Sequence, residues 1–264
     1  MKKTAPIGLF DSGVGGITVW NELVKLLPKE NTIYLADNKH APYGYRTKQE
    51  VLEYSVKNTE YLLSKGVKLI VIACNTATTN TIESLRLKFP DISFIGVEPA
   101  IKPAALLSAK KRIAVLATYN TLSSFEFAQA LKKPYMNGVQ VTQVVGEGLV
   151  PLIEDNRLNS EQMKKLVDIY TQEIRASDID QLVLGCTHYP YIKHLLAEAL
   201  PQGINILDSG QAIAKQTKFI LESEQMLNES SELGEHQFYY NKLSTSIQNF
   251  VPQDERTHLE FINF

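Results

Sequence analysis

The chain has 264 residues and a mass of 29.6 kDa, enough for one large domain or for two smaller ones that each bury a core. Charged residues make up 21% and hydrophobic residues 44%, ordinary for a globular enzyme, and a net charge of −2 leaves no basic footprint for nucleic acid. No stretch approaches the ~18 apolar residues of a membrane span and MKKTAPIGLF has no signal-peptide core, so we expect a cytoplasmic protein with no membrane partner and two reduced thiols.

PIGLF from Pro6 reads as a strand, DSGVGG (Asp11 to Gly16) as a glycine-rich turn, and Val19, Trp20, Leu23, Val24 and Leu27 as the apolar face of a helix. The turn fails the dinucleotide pattern, because Thr18 stands where a third glycine would be, and it lacks the Gly-Lys of a P-loop. A tight strand-to-helix turn is the simpler reading, and it still leaves Asp11 and Ser12 at the strand's carboxyl edge. TIYLAD (Thr32 to Asp37) is a second strand and HAPYGYR a loop. Thr47 and Glu50 form a capping box for a helix carrying Val51, Val56 and Leu62, ended by Gly66. LIVIACNTATT from Leu69 follows as an apolar run closed by Cys74, then a helix with Ile82, Leu85 and Phe89. ISFIGV is another strand, and Glu98 to Leu107 another helix.

At Arg112 the pattern restarts: IAVLAT as strand, TYNT as turn, SSFEFAQAL as helix. Aligning Ile113 with Ile7 gives an offset of 113 − 7 = 106, and aligning the cysteines gives 186 − 74 = 112, a difference one loop change absorbs. VQVTQVV from Val139 is a strand. GEGLVPLIED leads into a helix with Met163, Leu166, Val167, Tyr170 and Ile174 on one face. LVLGCTHYP from Leu182 is the second cysteine strand. After Ile204 to Leu207, Asp208 and Gln211 are expected to cap a helix with Ile213, Ile220 and Leu221. LNESSELGE reads as a surface loop, HQFYYN as a strand, and the last residues as ambiguous. His40, His194, His236 and His258 read as surface residues.

The fold class expected is α/β, with two pseudo-symmetric α/β domains and mainly parallel sheets. Uninterrupted apolar runs ending in a cysteine are strands buried on both faces, and ligands gather at the carboxyl edge of such sheets. Either cysteine alone reads as a small buried hydrophobe. Two in matching positions point to function. Each is followed by groups suited to a carboxylate, Asn75 and Thr76 in one half and Thr187 and His188 in the other, and a helix N-terminus favours thiolate and anion alike. Redox exchange would place the cysteines closer in sequence, and His188 near Cys186 is too little for a metal site. Inversion at a carbon bearing an acidic hydrogen suits them better: one thiolate removes a proton from one face while the other thiol delivers one opposite. Asp11 could merely cap its turn, His188 could be a satisfied polar residue, and Tyr43 could be loop packing.

FDSGVGG, APYGYR, IACNTATT, GVEPAIKPA, VPLIE, LGCTHYP and the late LDSG together resemble the glutamate racemases of the aspartate/glutamate racemase family, over almost the whole length. The resemblance implies a cofactor-independent, metal-free, two-base isomerase that interconverts L- and D-glutamate for peptidoglycan synthesis and cell shape. It implies an active site between the two domains, 1–98 plus 208–264 and 99–207, and a homodimer. By resemblance Cys74 acts on D-glutamate and Cys186 on L-glutamate, and Asp11, His188 and Glu154 complete the catalytic set. Substrate binding falls to Asp11, Ser12, Asp37, Tyr43, Gly44, Asn75, Thr76, Thr118, Thr121, Thr187 and His188. GEG (Gly146 to Gly148) stands before VPLIE where many relatives carry a cysteine-proline pair, which bears on Glu154. The chain lacks the N-terminal extension of relatives activated by a peptidoglycan precursor, so no such activation is expected. Racemisation of aspartate, and a cytosolic amino-acid-binding protein without turnover, remain as alternatives.

Overall fold

The computed structural model describes residues 2–243 and 246–264. Its strands form two sheets that are parallel throughout. The larger, in the order β10-β9-β2-β1-β3-β4, contains β1 (Ile7–Asp11), β2 (Thr32–Ala36), β3 (Leu69–Ile72), β4 (Phe94–Gly96), β9 (His236–Tyr240) and β10 (Thr257–Phe261). The smaller, in the order β6-β5-β7-β8, contains β5 (Arg112–Ala117), β6 (Gln140–Val145), β7 (Gln181–Gly185) and β8 (Asn205–Leu207). The central strands β1, β3 and β7 are buried at every residue, which is why their sequences run apolar without alternation.

Alternation reappears in which core each side chain enters. Ile7 and Leu9 of β1 join a cluster that also holds Leu116, Leu184 and Cys186 from the second half, while Phe10 faces a separate cluster with Ile72 and Cys74. A third cluster, with Ile113, Val115 and Val183, lies on the other face of the smaller sheet. The inner faces of both sheets thus share one continuous apolar contact.

The helices are α1 (Ile17–Leu26), α2 (Lys48–Ser64), α3 (Asn75–Lys88), α4 (Ile101–Leu107), α5 (Tyr119–Leu122), α6 (Phe125–Leu131), α7 (Leu149–Glu154), α8 (Glu161–Ala176), α9 (Lys193–Ala199) and α10 (Gly210–Ser223). The capping box on α2 forms as the sequence predicts: the Thr47 hydroxyl accepts from the Glu50 N–H and the Glu50 carboxylate from the Thr47 N–H. Gly66 then takes a positive φ of 73° beyond the helix end. Among the described residues, no helix is long and apolar enough to cross a membrane.

The structure corrects several local expectations. TYNT is the short helix α5, because the Thr118 side chain accepts from the Thr121 N–H and starts a turn of helix. The helix expected from Glu98 begins at Ile101. The cap of α10 is Ser209; Asp208 accepts from the Gly210 N–H, and Gln211 is exposed. The ambiguous C-terminus supplies β10, which pairs with β9. His236 is buried rather than superficial: its ring bonds the Thr32 hydroxyl at 2.9 Å and meets the Trp20 indole edge-on.

Candidate active site

Four chain segments leave the carboxyl edges of adjacent central strands, β1 beside β3 and β5 beside β7. They carry Asp11, Cys74, Thr118 and Cys186 respectively. Asp11 is fully buried, and the two free thiols are 5% and 7% exposed.

Cys74 is the N-cap of α3, its sulfur accepting the Ala77 N–H at 3.5 Å. The first-turn N–H groups of a helix lack internal partners and favour negative charge, so this end can hold both a thiolate and a carboxylate. Asp11 lies against the thiol. Its Oδ2 accepts from the N–H groups of Gly16 at 2.9 Å and Gly13 at 3.3 Å, while its Oδ1 is buried with no partner among the described residues. Burial raises the Asp11 carboxyl above its ordinary value against the opposing pull of His188 and the Gly16 N–H. Burial also raises the Cys74 thiol well above its ordinary value, and the Asp11 charge adds to that. Cys74 is therefore a protonated thiol at neutral pH.

On the second side a relay runs through three side chains. His188 Nδ1 lies 3.7 Å from the Cys186 sulfur, and His188 Nε2 lies 2.5 Å from Glu154 Oε1. Burial opposes the charge on His188, but the bonds to Cys186 and Glu154 outweigh it and hold the imidazole well above its ordinary value, protonated at neutral pH. Glu154 is fixed in turn by the Val14 N–H at 2.8 Å and the Asn38 carboxamide at 2.9 Å.

Gly13 and Gly15 of DSGVGG make room for this contact, not for a phosphate. A Cβ on Gly13 would lie 1.9 Å from Glu154 Oε1, and one on Gly15 would lie 2.3 Å from His188 Nδ1. The turn is bare so that two charged side chains from the other half can reach in. Thr18, the residue that breaks the dinucleotide pattern, bonds the Thr187 carbonyl across the same junction at 3.0 Å.

The remaining predicted residues divide into two groups. Thr76, Thr118 and Thr121 meet as a hydroxyl triad, with Oγ1 atoms 2.9 Å apart for Thr76 and Thr118, 3.0 Å for Thr118 and Thr121, and 3.4 Å for Thr76 and Thr121. Gly44 packs beside them, since a Cβ there would lie 3.2 Å from Thr118 Cβ. Ser12, Asn75 and Thr187 are buried nearby in the chain, Asn75 donating to the Val97 carbonyl at 3.2 Å. Asp37 stands apart: its carboxylate accepts from the Tyr43 hydroxyl at 2.6 Å and the Asn241 carboxamide at 2.6 Å, and pairs with His40 at 2.7 Å. It is engaged in holding the loop that carries Tyr43. Residues that sequence reasoning passed over are Asn38, which steadies Glu154, and Asn120, described below. Both are single amides in loops with no repeating signal.

A cavity of about 590 Å³ opens outside the triad, walled in part by Gly44, Arg46 and Thr118. Among the described residues, no group of three or more His, Cys, Asp or Glu side chains could hold a metal ion. The site thus has two thiols, each with its own titratable neighbours, and hydroxyl and amide donors between the halves.

The model of the Asp/Glu/hydantoin racemase family matches residues 12–217. The chain belongs to that family. A glutamate racemase of Pseudomonas putida (strain W619) is 39% identical over 251 residues, covering 95% of this chain and 94% of the relative. Among solved structures, the glutamate racemase of Francisella tularensis subsp. tularensis SCHU S4 in complex with D-glutamate matches with a TM-score of 0.86 and 26% identity, over 99% of this chain and 98% of that one. The Escherichia coli glutamate racemase in complex with L-glutamate and the activator UDP-MurNAc-ala matches with a TM-score of 0.84 and 30% identity, over 98% of each chain. The racemase family's fold of parallel sheets in two halves is the one described above.

Proposed function

We propose that this chain is a glutamate racemase, a cofactor-independent isomerase that interconverts L- and D-glutamate between two thiol acid/base groups. One observation carries the reading: each half contributes one buried thiol at a sheet's carboxyl edge, with a separate acid/base neighbour, Asp11 for Cys74 and His188 with Glu154 for Cys186.

A cationic imidazole beside a sulfur is the environment in which thiolates persist. With L-glutamate bound, the Cys186 sulfur takes the α-proton, breaking the C–H bond and leaving carbanion character on the substrate. The protonated Cys74 thiol supplies a proton to the opposite face, and the product is D-glutamate with the proton states of the two sulfurs exchanged. The reverse reaction starts from that exchanged state, with Cys74 acting on D-glutamate. Asp11 and His188, each in electrostatic reach of the other, are positioned to restore the starting state. The hard step is forming the carbanion, and oriented donors in a site shielded from water lower its energy most. The α3 N-terminus and the Thr76, Thr118 and Thr121 hydroxyls are the groups suited to the substrate carboxylates, with Ser12, the Tyr43-Gly44 turn, Asn75 and Thr187 completing the enclosure. Glu154 acts through His188, and Asp37 through Tyr43. Both are positioning residues.

In this reading the lobes formed by 1–98 with 208–264 and by 99–207 close over the amino acid. The enzyme works in the cytoplasm, supplies D-glutamate for peptidoglycan, and forms a homodimer, which sedimentation in solution would check. Incubation with L-glutamate in deuterium oxide, without added cofactor, is expected to give D-glutamate labelled at the α carbon. Cys74→Ser and Cys186→Ser are each expected to abolish racemisation and to differ in the enantiomer that still exchanges its α-hydrogen. Turnover only after pyridoxal phosphate is added, or full racemisation by either variant, would overturn the reading.

A further inference from the structure

We propose that Asn120 is a positioning residue that latches the mouth of this site and holds the Tyr43-Gly44 backbone in place when the mouth shuts over an amino acid. The inference rests on the racemase reading for its substrate, but not for its geometry. The two thiols are enclosed, Cys74 being 5% and Cys186 7% exposed. An amino acid therefore reaches the thiols only if the mouth opens. Immediately outside lies the cavity of about 590 Å³, to which Gly44, Tyr45 and Arg46 contribute from one side and Thr118, Asn120 and Gly146 from the other. That volume accommodates an amino acid waiting to enter.

Between the outer cavity and the thiols, the two sides are tied by few bonds. The Asn120 carboxamide donates from Nδ2 to two carbonyls of one turn, Tyr43 at 3.2 Å and Arg46 at 2.8 Å. The Gly148 N–H donates to the Tyr45 hydroxyl at 3.3 Å, and Tyr45 is 59% exposed. From its own half the turn Tyr43–Tyr45 is held by the buried Tyr43 ring, whose hydroxyl donates to Asp37 at 2.6 Å and accepts from Asn58 at 3.2 Å. Arg46 Nε adds a bond to the His40 carbonyl at 3.0 Å. Asn120 ties the backbone of the turn to the facing half. Asn120 sits two residues after Thr118, so the segment that brings a hydroxyl to the threonine triad also draws Tyr43 and Gly44 towards it. Among the described residues, the Asn120 side-chain bonds go to these backbone carbonyls. An aspartate of the same size would place acceptors against acceptors and hold the mouth open.

A neutral hydrogen bond shifts an equilibrium by a factor of roughly 3 to 10, so losing both Asn120 bonds should favour the open mouth by about tenfold or more. The two buried cysteines report that opening without any substrate. The measurement is the rate at which iodoacetamide alkylates Cys74 and Cys186 in the free full-length protein, alongside steady-state kinetics with L-glutamate. For Asn120→Ala we expect alkylation roughly tenfold faster and KM raised about tenfold, with kcat within about threefold of the parent. Its thermal midpoint should stay within about 3 °C. Tyr45→Phe, which removes one exposed hydroxyl, is expected to accelerate alkylation about threefold and keeps the test decisive should Asn120→Ala fold poorly. Unchanged alkylation in the folded variants, or a fall in kcat at constant KM, would overturn the latch. Failure of the parent to turn over glutamate would instead overturn the racemase reading, and the alkylation rates would still decide the latch.

Discussion

Replacing Glu154 by glutamine isolates the charge that supports His188. The substitution keeps size and shape. Glu154 Oε1 accepts from His188 at 2.5 Å and from the Val14 N–H at 2.8 Å, and the glutamine carbonyl can keep that role. Its NH2 group then replaces Oε2, which accepts from the Asn38 carboxamide at 2.9 Å. Asn38 can turn over to meet it, because its own Oδ1 is buried and has no partner among the described residues. The variant therefore loses a charge and little else. A hydrogen bond to a charged group is worth about 1.5–3 kcal/mol, so kcat/KM should fall roughly 10- to 100-fold near neutral pH. The enantiomers have equal energy, and the fall must therefore be the same in both directions. The affected side shows in exchange: in deuterium oxide, D-glutamate deprotonated by Cys74 should return labelled without inversion more often than L-glutamate does. The pH profile gives the sign. Burial opposes the charge on His188, while Cys186 and Glu154 hold its folded pKa above 6.5. Activity that needs the imidazolium is full below that folded value and is lost as pH rises through it. Without the Glu154 charge the folded value falls and the alkaline limb moves to lower pH, so the two proteins differ least in acid. An unmoved alkaline limb, or symmetric exchange of the two enantiomers, would refute the relay.

Gly15→Ala would set a methyl carbon 2.3 Å from His188 Nδ1. Misplacing a reacting group by ~1 Å can cost about 100-fold, and kcat/KM is expected to fall by that order. Gly66→Ala serves as the contrast: φ is 73° with nothing within 4 Å of the new carbon. It should lower stability by about 1 kcal/mol in a denaturant titration and leave kcat/KM unchanged. Lys68 and Glu30 form a buried pair at 2.5 Å, with Lys68 also donating to the Met226 carbonyl at 2.9 Å. Lys68→Ala strands the Glu30 charge and should destabilise by about 3–5 kcal/mol, read from the denaturation midpoint. His236 has its folded pKa depressed by burial and then by Arg256, with Asp254 and Glu235 pulling the other way. The unfolded state therefore takes up that proton first. Stability should decline as pH drops from about 6.5 through the folded value, and His236→Gln should flatten that slope in thermal melts followed by Trp20 fluorescence.

The parallel α/β character was readable in the chain, since apolar runs such as LIVI and LVLG without alternation have no stable place except the middle of a covered sheet. The sequence also placed Cys74 and Cys186 just after equivalent buried strands, β3 and β7. The helix start expected at both holds only for Cys74, which caps α3; Cys186 leads into a single 3-10 turn, Tyr189–Ile192, and the next α-helix begins at Lys193. The capping box at Thr47 and Glu50 was legible because both partners lie within one turn. What lies between the halves was not legible. The bareness of Gly13 and Gly15 looks like a turn requirement until Glu154 and His188, more than 140 residues away in the chain, come to rest against them. Burial of His236, the hold of Asn38 on Glu154 and the grip of Asn120 on Tyr43 likewise depend on which loops meet. These emerge from the folded arrangement, because a contact between distant loops is selected by the packing of whole sheets and leaves no period or spacing for a reader of the chain to find.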